Sequence, residues 1–322
     1  MSEMQAKKEN SIRIGISSCL LGQEVRYDGA HKHSRYITET LGQYFEFMPF
    51  CPEVAIGMGI PRAPIRLVNT ADRIRVRGVK DSSIDVTQQI EDYAMQVVPQ
   101  VKGLSGYLFK RASPSCGMER VKVYTEAGMP VNTHSGIYAG SLLQALPELP
   151  AEEEGRLMDP VLRENFIERV FVYNRWQNLL DEGLTAGKLV DFHTRHKYSV
   201  LAHDEPKYRQ LGQLVAEAGK GDLQKTATRY ISLLMQALTK KATPKTHTNV
   251  LQHMSGYLKE YLDKVDKKEL LEVIDSYRLG LVPLIVPITL LKHHFRKNPD
   301  DYILQQYYLN PHPKELMLRN SL

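Results

Sequence analysis

The stretch GLSGYLFKRASPSCG, residues 103–117, joins an apolar run to a loop that contains a cysteine. The run GYLF predicts a buried strand, and the proline, serines and glycine that follow it predict a loop. The same order occurs twice earlier in the chain, where IRIGIS precedes Cys19 and YFEFMPF precedes Cys51. Each of the three cysteines of this sequence, the last being Cys116, therefore stands shortly after a predicted strand.

Strands and helices alternate throughout the first half of the chain. Residues 65–68 and 73–78 have the pattern of a hairpin, and residues 81–102 carry an apolar stripe at helical spacing. Pro99 is expected to end or kink that helix. This alternation predicts an α/β domain with a mainly parallel sheet. Since the carboxyl ends of parallel strands meet at one edge of a sheet, the three cysteines are expected to converge there.

The second half of the chain has the pattern of an all-α domain. The segment LPELPAEEEGRLMDP, residues 146–160, is rich in proline and glutamate and indicates a boundary. Asp159-Pro160 is typical of a helix start, and helical patterns follow to the end of the chain. We therefore expect four parts: a flexible N-terminus at 1–10, an α/β domain that holds the three cysteines at 11–150, a linker at 151–158 and a helical domain at 159–322.

The composition is that of a globular protein, with 322 residues, 42% of them hydrophobic and 25% charged. No secretory signal is visible, and no apolar run reaches the roughly 18 residues that a membrane span needs. The most apolar stretch, residues 279–291, holds two prolines and is expected to begin a buried helix. A cytoplasmic, reducing setting is therefore expected, in which an odd number of distant cysteines does not indicate disulfides. The net charge of +5 suits an anionic partner without requiring one.

The residues alone leave three interpretations of the converging cysteines open. They are buried free thiols, a zinc site or an iron–sulfur cluster. A structural zinc site needs four protein ligands and the sequence has no fourth cysteine, whereas three cysteines on a [4Fe–4S] cluster leave one iron open. Glu53, Arg62, Ser113 and Ser115 lie close to the cysteines in the sequence. An acid, an arginine and hydroxyls around three thiols are more typical of an active site than of a core.

Three motifs in the first half resemble the thiouracil desulfidase (TudS-like) family over residues 11–150. They are SSCLLG…VRYDG, CPEV…G…PR and FK…SPSCG, and they occur in the same order. The second half resembles the YbgA-type helical domain through HTRHKYSVLAHD, residues 193–204, and NPHPKELMLRN, residues 310–320. A fusion of these two domains is similar to bacterial desulfidases that convert 4-thiouridine in tRNA to uridine.

The resemblance implies a [4Fe–4S] cluster held by Cys19, Cys51 and Cys116. Its open iron would bind the sulfur of a thiolated base while water attacks the carbon, so that sulfur leaves as hydrosulfide without net redox change. Glu53 would then act as acid or base, and Ser113 as a hydroxyl that orients water or relays a proton. The motif does not decide between Ser113 and Ser115. Substrate contacts are expected from residues around the cysteines: Ser17, Arg26, Tyr27, Asp28, Arg62, Lys110 and Ser115.

The second half is also expected to bind RNA, because basic residues outnumber acidic ones from Gly183 onward. A predicted helix at 223–241 is apolar on one side, and a basic tract on its other side continues into the next loop. The candidates are Lys225, Arg229, Lys240, Lys241 and Lys245. Such a surface would hold tRNA phosphates, and the modified base would turn out of its stack to reach the cluster. A merely solvated helix face is the alternative.

Three histidines of the second half, His193, His196 and His203, could share one helix face. A metal site is one option there, but RNA contact or packing is favoured because no carboxylates accompany them in a clear geometry. Together these features predict an iron–sulfur desulfidase acting on 4-thiouridine in tRNA. Two alternatives stay open. One is a desulfidase of free thiobases such as 2-thiouracil, with the helical domain serving oligomerisation, and the other is a non-catalytic RNA-binding or metal-sensing protein.

Overall fold

The computed structural model describes residues 11–321, which form two compact units that divide between Met158 and Asp159. The N-terminus expected to be flexible, residues 1–10, lies outside the described residues. The first unit is an α/β domain and the second is helical, so the fold class predicted from the sequence is confirmed.

The first sheet of the α/β unit is entirely parallel. Its strands are Ile12–Ser17 (β1), Phe45–Phe50 (β2), Gly106–Phe109 (β5) and Ala151–Glu153 (β8), and their order in the sheet is β2-β1-β5-β8. Gly15 lets β1 and β5 approach closely, because a Cβ added there would lie 2.4 Å from Cδ2 of Tyr107. Tyr107 is fully buried and stacks on Phe109, with ring centroids 4.0 Å apart. Large apolar side chains thus fill the space beneath the sheet.

The second sheet is mixed. Its strands are Ile65–Asn69 (β3), Ile74–Gly78 (β4), Val121–Tyr124 (β6) and Pro130–His134 (β7), and their order is β4-β3-β6-β7. The first two pair antiparallel as the predicted hairpin, while β3 and β6 pair parallel. The last strand is exposed along its whole length, so no apolar alternation marks it in the sequence.

The helices of the α/β unit are Pro52–Ala55 (α1), Thr87–Lys102 (α2) and Ile137–Ala145 (α3). Helix α2 begins six residues later than the pattern suggests, because the side chain of Asp85 accepts a hydrogen bond from the backbone N–H of Thr87. It does not end at Pro99 but continues to Lys102. Pro99 is exposed and lies in the last turn, so few residues of the helix follow the hydrogen bond that its ring removes.

The residues expected to be a linker, 151–158, belong to the α/β unit. Strand β8 pairs with β5, and a 3-10 turn, Arg156–Met158, closes the unit. The acidic composition suggests an exposed boundary, but Glu152 and Glu153 are 5% and 4% exposed. Each has a partner, since Arg156 Nε donates to Glu152 at 2.6 Å and the N–H of Met118 donates to Glu153 at 2.9 Å.

The second unit consists of α-helices and short 3-10 turns among the described residues. Its α-helices are Pro160–Asp181 (α4), Ala186–His203 (α5), Glu205–Ala216 (α6), Leu223–Thr239 (α7), Pro244–Ser255 (α8), Lys264–Arg278 (α9), Ile285–Lys297 (α10) and Asp301–Leu304 (α11). The first begins at the predicted Asp159-Pro160 pair, where the Asp159 carboxylate accepts from two backbone N–H groups. Trp176, the single tryptophan of the chain, is buried in the core of this unit. Within residues 11–321, none of the helices combines the length and the apolar character needed to span a membrane.

Candidate active site

Three loops bring the cysteines to the carboxyl-end edge of the parallel sheet. Cys19 lies in a 3-10 turn, Ser18–Leu21, directly after β1, and Cys51 lies between β2 and α1. Cys116 lies in the loop after β5. All three line one cavity of about 320 Å³, a size at the lower end of small-molecule pockets.

Cys19 and Cys116 are buried, Cys51 is partly buried, and the three thiols influence one another. Burial raises the pKa of Cys19 to about 11, although Lys110 and Arg26 act against the increase. Burial also raises the pKa values of Cys51 and Cys116, and the charge of each neighbouring thiolate adds to the effect on Cys116. Thiols in such a place deprotonate when a metal binds them, because the metal supplies the missing positive charge.

The third cysteine loop is held by hydrogen bonds on both sides. Ser113 Oγ accepts from the backbone N–H groups of Ser115 and Cys116, at 3.2 and 3.1 Å. On the other side, the loop carbonyls of Pro114 and Ser115 accept from the first N–H groups of helix α3, at 3.1 Å each. Gly136 makes this approach possible, because a Cβ there would lie 2.5 Å from the Ser115 carbonyl oxygen. The position of Cys116 is therefore fixed by the start of a helix as well as by its own turn.

Glu53 reaches the cavity from helix α1, and both of its carboxylate oxygens have donors. Arg62 Nε donates to Oε2 at 2.9 Å, and Nη2 of the same guanidinium contacts that oxygen as well. Ser115 Oγ donates to Oε1 at 2.9 Å. The Arg62 side chain is 4% exposed, and its Nη1 donates to the carbonyls of Val25 and Gly59. These contacts fix the orientation of the carboxylate at the cavity wall.

The two serines occupy different places. Ser113 lines the cavity, whereas Ser115 is fully buried behind Glu53. Ser17 also lines the cavity, and its hydroxyl oxygen accepts from the backbone N–H of Lys110 at 2.9 Å. The ammonium group of Lys110 pairs with Glu154. The positive charge of Lys110 at the cavity is therefore balanced by the carboxylate of Glu154.

The remaining expected substrate-binding residues divide into two groups. Arg26 and Tyr27 line the cavity, and Tyr27 is 42% exposed at its mouth. Asp28 lies outside the lining and pairs with Arg26, with Nε and Oδ1 3.5 Å apart. Sequence reasoning misses Arg111, which lines the cavity, and Glu154, which pairs with Lys110. Glu154 lies 44 residues from that lysine, and no sequence signal links them.

Comparison with known proteins finds a family for each unit, so we call the first unit, up to Met158, the desulfurase-family unit and the second, from Asp159, the DUF1722-family unit. Residues 14–154 match the family described as 2-thiouracil desulfurase, and residues 197–313 match the protein of unknown function family DUF1722. Uncharacterized protein YbgA of Escherichia coli (strain K12) is 36% identical over 154 residues, which are 48% of this chain and 91% of that protein. Uncharacterized protein YbbK of Bacillus subtilis (strain 168) is 32% identical over 147 residues, 44% of this chain and 96% of that protein. The chain belongs to the 2-thiouracil desulfurase and DUF1722 families. This confirms the resemblances drawn from the cysteine motifs and from the motifs of the second half.

A solved structure is also similar to part of this chain. It is named [4Fe–4S]-dependent thiouracil desulfidase TudS and is 30% identical, with a TM-score of 0.37. The match covers 46% of this chain and 95% of that chain.

The basic residues expected to contact RNA lie on the surface of the DUF1722-family unit. All five are exposed: Lys225, Arg229, Lys240, Lys241 and Lys245. The first two stand on the outer face of helix α7, opposite Ile231 and Leu234, which are buried. Lys240 already has a partner, since its Nζ lies 2.6 Å from Oδ2 of Asp204.

The three histidines of helix α5 are packed inside the DUF1722-family unit. His193 contacts the hydroxyl of Tyr230, at 3.3 Å from Nδ1, and His196 Nδ1 contacts the carbonyl of Phe192 at 2.7 Å. Each is less than a tenth exposed, which excludes the RNA contact considered for them. No cluster of three or more His, Cys, Asp or Glu side chains suited to a single metal ion occurs in the described part of the chain.

His203 belongs to a buried charge network. Its Nε2 lies 3.4 Å from Oε2 of Glu168, and Arg319 Nε donates to Glu164 at 2.8 Å. Burial acts to raise the pKa of Glu168, but the hydrogen bond and charge of His203 lower it below the usual value. Burial acts to lower the pKa of His203, but Glu168 raises it overall. This pair joins helices α4 and α5 inside the unit.

Proposed function

We propose that this chain is a [4Fe–4S]-dependent desulfidase that removes sulfur from 4-thiouridine in tRNA, giving uridine and hydrosulfide. The observation that carries the proposal is the meeting of three cysteines and one oriented carboxylate in a single cavity. Membership of a family described as 2-thiouracil desulfurase supports a thiolated pyrimidine as the substrate class.

The donor set of the cavity fits an iron–sulfur cluster. Its soft ligands are Cys19, Cys51 and Cys116, and thiolates are the usual ligands of such clusters. Three cysteines also leave one iron without a protein ligand. When bound, the cluster supplies a Lewis-acidic iron with affinity for sulfur.

The residues around the cavity then supply proton transfer and contact with the substrate. Glu53 takes the proton of the water that attacks the thiolated carbon, because its carboxylate is held at the cavity wall by Arg62 and Ser115. Both lone pairs of the Ser113 hydroxyl oxygen accept backbone N–H groups, so its own O–H is left to donate towards the substrate. The structure thus favours Ser113 for contact with the reacting base and Ser115 for positioning Glu53.

The tRNA substrate is supported by charge and by size. The DUF1722-family unit presents exposed lysines and arginines that suit phosphate contacts. The cysteine cavity, at about 320 Å³, suits one base turned out of its stack rather than a base pair. The same volume also admits a free thiobase, which is the second candidate substrate.

The test is anaerobic reconstitution with iron and sulfide, followed by incubation with tRNA that contains 4-thiouridine. The expected result is loss of the thio-base absorbance with release of hydrosulfide, much faster in the wild-type protein than in the loaded Glu53→Gln variant. Free 4-thiouracil and 2-thiouracil are compared under the same conditions. Turnover of the free bases alone would replace tRNA as substrate, and a loaded protein that turns over none of the three would refute the proposal.

A further inference from the structure

A second and larger cavity adjoins the cysteine cavity within the desulfurase-family unit. It has a volume of about 700 Å³ and lies mainly over strands β3 and β6. The two cavities have four lining residues in common, which are Ile65, Arg111, Ala112 and Pro114. The two cavities are therefore neighbours on the surface of this unit, separated by no more than these shared residues.

The second cavity is strongly basic, and we call it the basic groove. Its lining includes five cationic side chains: Arg66, Arg111, Arg120, Lys122 and Arg156. Two carboxylates, those of Glu119 and Glu153, also line it. Glu119 is engaged by Arg156 at 2.6 Å, and Glu153 is buried and accepts a backbone N–H. The cations outnumber the carboxylates, so the groove carries a net positive charge.

Three of these cations have no carboxylate partner among the described residues. Within residues 11–321, the side chains of Arg66, Arg111 and Lys122 make no ion pair at 4.0 Å or less. This contrasts with other basic residues of the unit, such as Arg62, Arg73 and Lys110, which are paired. Unpaired cations grouped in a concave surface favour an anionic ligand, because the ligand supplies the missing counter-charge.

Arg66 is the most constrained member of the group. Its guanidinium lies 5.3 Å from the ring centroid of Tyr124, and its Nε is buried without a hydrogen-bond partner among the described residues. A partly buried guanidinium that lies against an aromatic ring has little freedom left to lose on binding. Arg66 is thus prepared for an anion.

We propose that the basic groove binds the sugar–phosphate backbone of the RNA whose thiolated base occupies the cysteine cavity. The inference rests on the proposed function for the identity of the base, and on the groove itself for the polynucleotide. One phosphate needs only one guanidinium fork, whereas the groove offers several cations over a volume about twice that of the cysteine cavity. Phosphate contacts in the groove position the strand, and the cysteine cavity reads the base.

This proposal moves part of the RNA recognition into the desulfurase-family unit. The five surface candidates of the DUF1722-family unit follow from helix periodicity, and none of them lines the basic groove. The groove residues come from two strands and the loops around them, so no linear basic run marks them in the sequence.

The test measures binding of unmodified RNA, which carries no sulfur and so does not depend on desulfidation. Full-length protein is titrated with a fluorescently labelled single-stranded oligoribonucleotide and with unmodified tRNA at salt concentrations from about 50 to 200 mM. The slope of log affinity against log salt falls by about 0.7–0.9 for each phosphate that the protein no longer neutralises. For the Arg66→Gln/Lys122→Gln double variant we expect the magnitude of this slope to be lower by about 1.4–1.8. Raising the salt concentration across this range should therefore weaken RNA binding by the variant about tenfold less than it weakens binding by the wild type.

A double variant with the same charge change elsewhere on the unit is the control. Arg13 lies in the first half of β1, and Lys102 ends helix α2 just before β5, so both lie at the edge of the sheet opposite the cysteines. The Arg13→Gln/Lys102→Gln variant should keep the wild-type slope, because it removes the same two positive charges at the edge of the sheet that lies away from the cysteines.

Several outcomes would overturn the inference. These are a wild-type protein that binds no RNA, equal slopes for the groove variant and the wild type, and equal changes in the groove and control variants. Groove-dependent binding of uridine monophosphate without binding of RNA would show a nucleotide site instead of a polynucleotide groove. If the groove variant has a reduced slope but the wild-type protein turns over no thiolated base, the RNA-binding groove is supported and only the proposed desulfidase activity is refuted.

Discussion

The hydrogen bond from Ser115 to Glu53 gives a prediction whose size follows from the structure. Ser115→Ala removes a hydroxyl that donates to a carboxylate oxygen at 2.9 Å, in a place with no exposure to water. A hydrogen bond to a charged group contributes about 1.5–3 kcal/mol. Since about 1.36 kcal/mol corresponds to a factor of ten in rate, kcat should fall about 10- to 150-fold. Arg62 still holds the other carboxylate oxygen, so activity should not vanish.

The assay is hydrosulfide release from a thiolated base, measured anaerobically and normalised to the iron and sulfide bound per chain. Normalisation separates an effect on Glu53 from an effect on cluster loading. A double-mutant cycle with Glu53→Gln supplies the control, because a residue that acts through Glu53 should add little once the carboxylate is gone. A decrease smaller than threefold in the loaded Ser115→Ala variant would refute the reasoning. So would an equal decrease in the wild-type and Glu53→Gln backgrounds.

Three further predictions concern the cluster, the sheet and the buried charge pair. Cys116→Ala should abolish loading, measured as bound iron and sulfide, and full loading would contradict the three-cysteine site. Gly15→Ala should lower the free energy of unfolding of the α/β unit by about 1–3 kcal/mol, because the new Cβ overlaps a buried tyrosine ring. Urea denaturation followed by near-UV circular dichroism measures this change. An unchanged midpoint would show that the two strands separate without cost. Glu168→Gln should destabilise the helical unit by about 3–5 kcal/mol, because it leaves His203 buried without its partner. The folded-state pKa of Glu168 is lowered and that of His203 is raised, so the stabilisation by the pair is complete between about pH 4.5 and 6.5. It declines as the pH falls below this window or rises above it. Urea denaturation followed by tryptophan fluorescence checks both the destabilisation and its pH dependence, and a difference that does not change from pH 5 to pH 9 would contradict the assignment.

Much of the fold could be predicted because its signals are local. The apolar runs before Cys19, Cys51 and Cys116 identify buried strands, and parallel pairing then brings their ends together. The mixed sheet is only partly predictable, because strand β7 is exposed throughout and carries no alternation. Strand β8 has the composition of a linker, and its two glutamates are buried only because partners distant in sequence or four positions away donate hydrogen bonds to them.

The candidate site shows the same division between local and distant information. The resemblance implies Glu53 and leaves Ser113 and Ser115 undecided, and only the side-chain geometry separates the two serines. The pairing of Lys110 with Glu154 depends on how β8 is placed beside β5, which the sequence pattern does not reveal. The basic groove, likewise, comes from residues that are far apart along the chain.

The contact between the third cysteine loop and helix α3 limits how this site could be moved to another protein. Two carbonyls of the loop accept the first N–H groups of that helix, and Gly136 leaves the room for them. A designer who copied only the three cysteines and their turns onto another parallel sheet would leave these carbonyls without donors and the loop without support. The smallest portable form of the site therefore includes the three strand ends, the glycine and the first turn of the helix, although that helix contributes no side chain to the cavity lining.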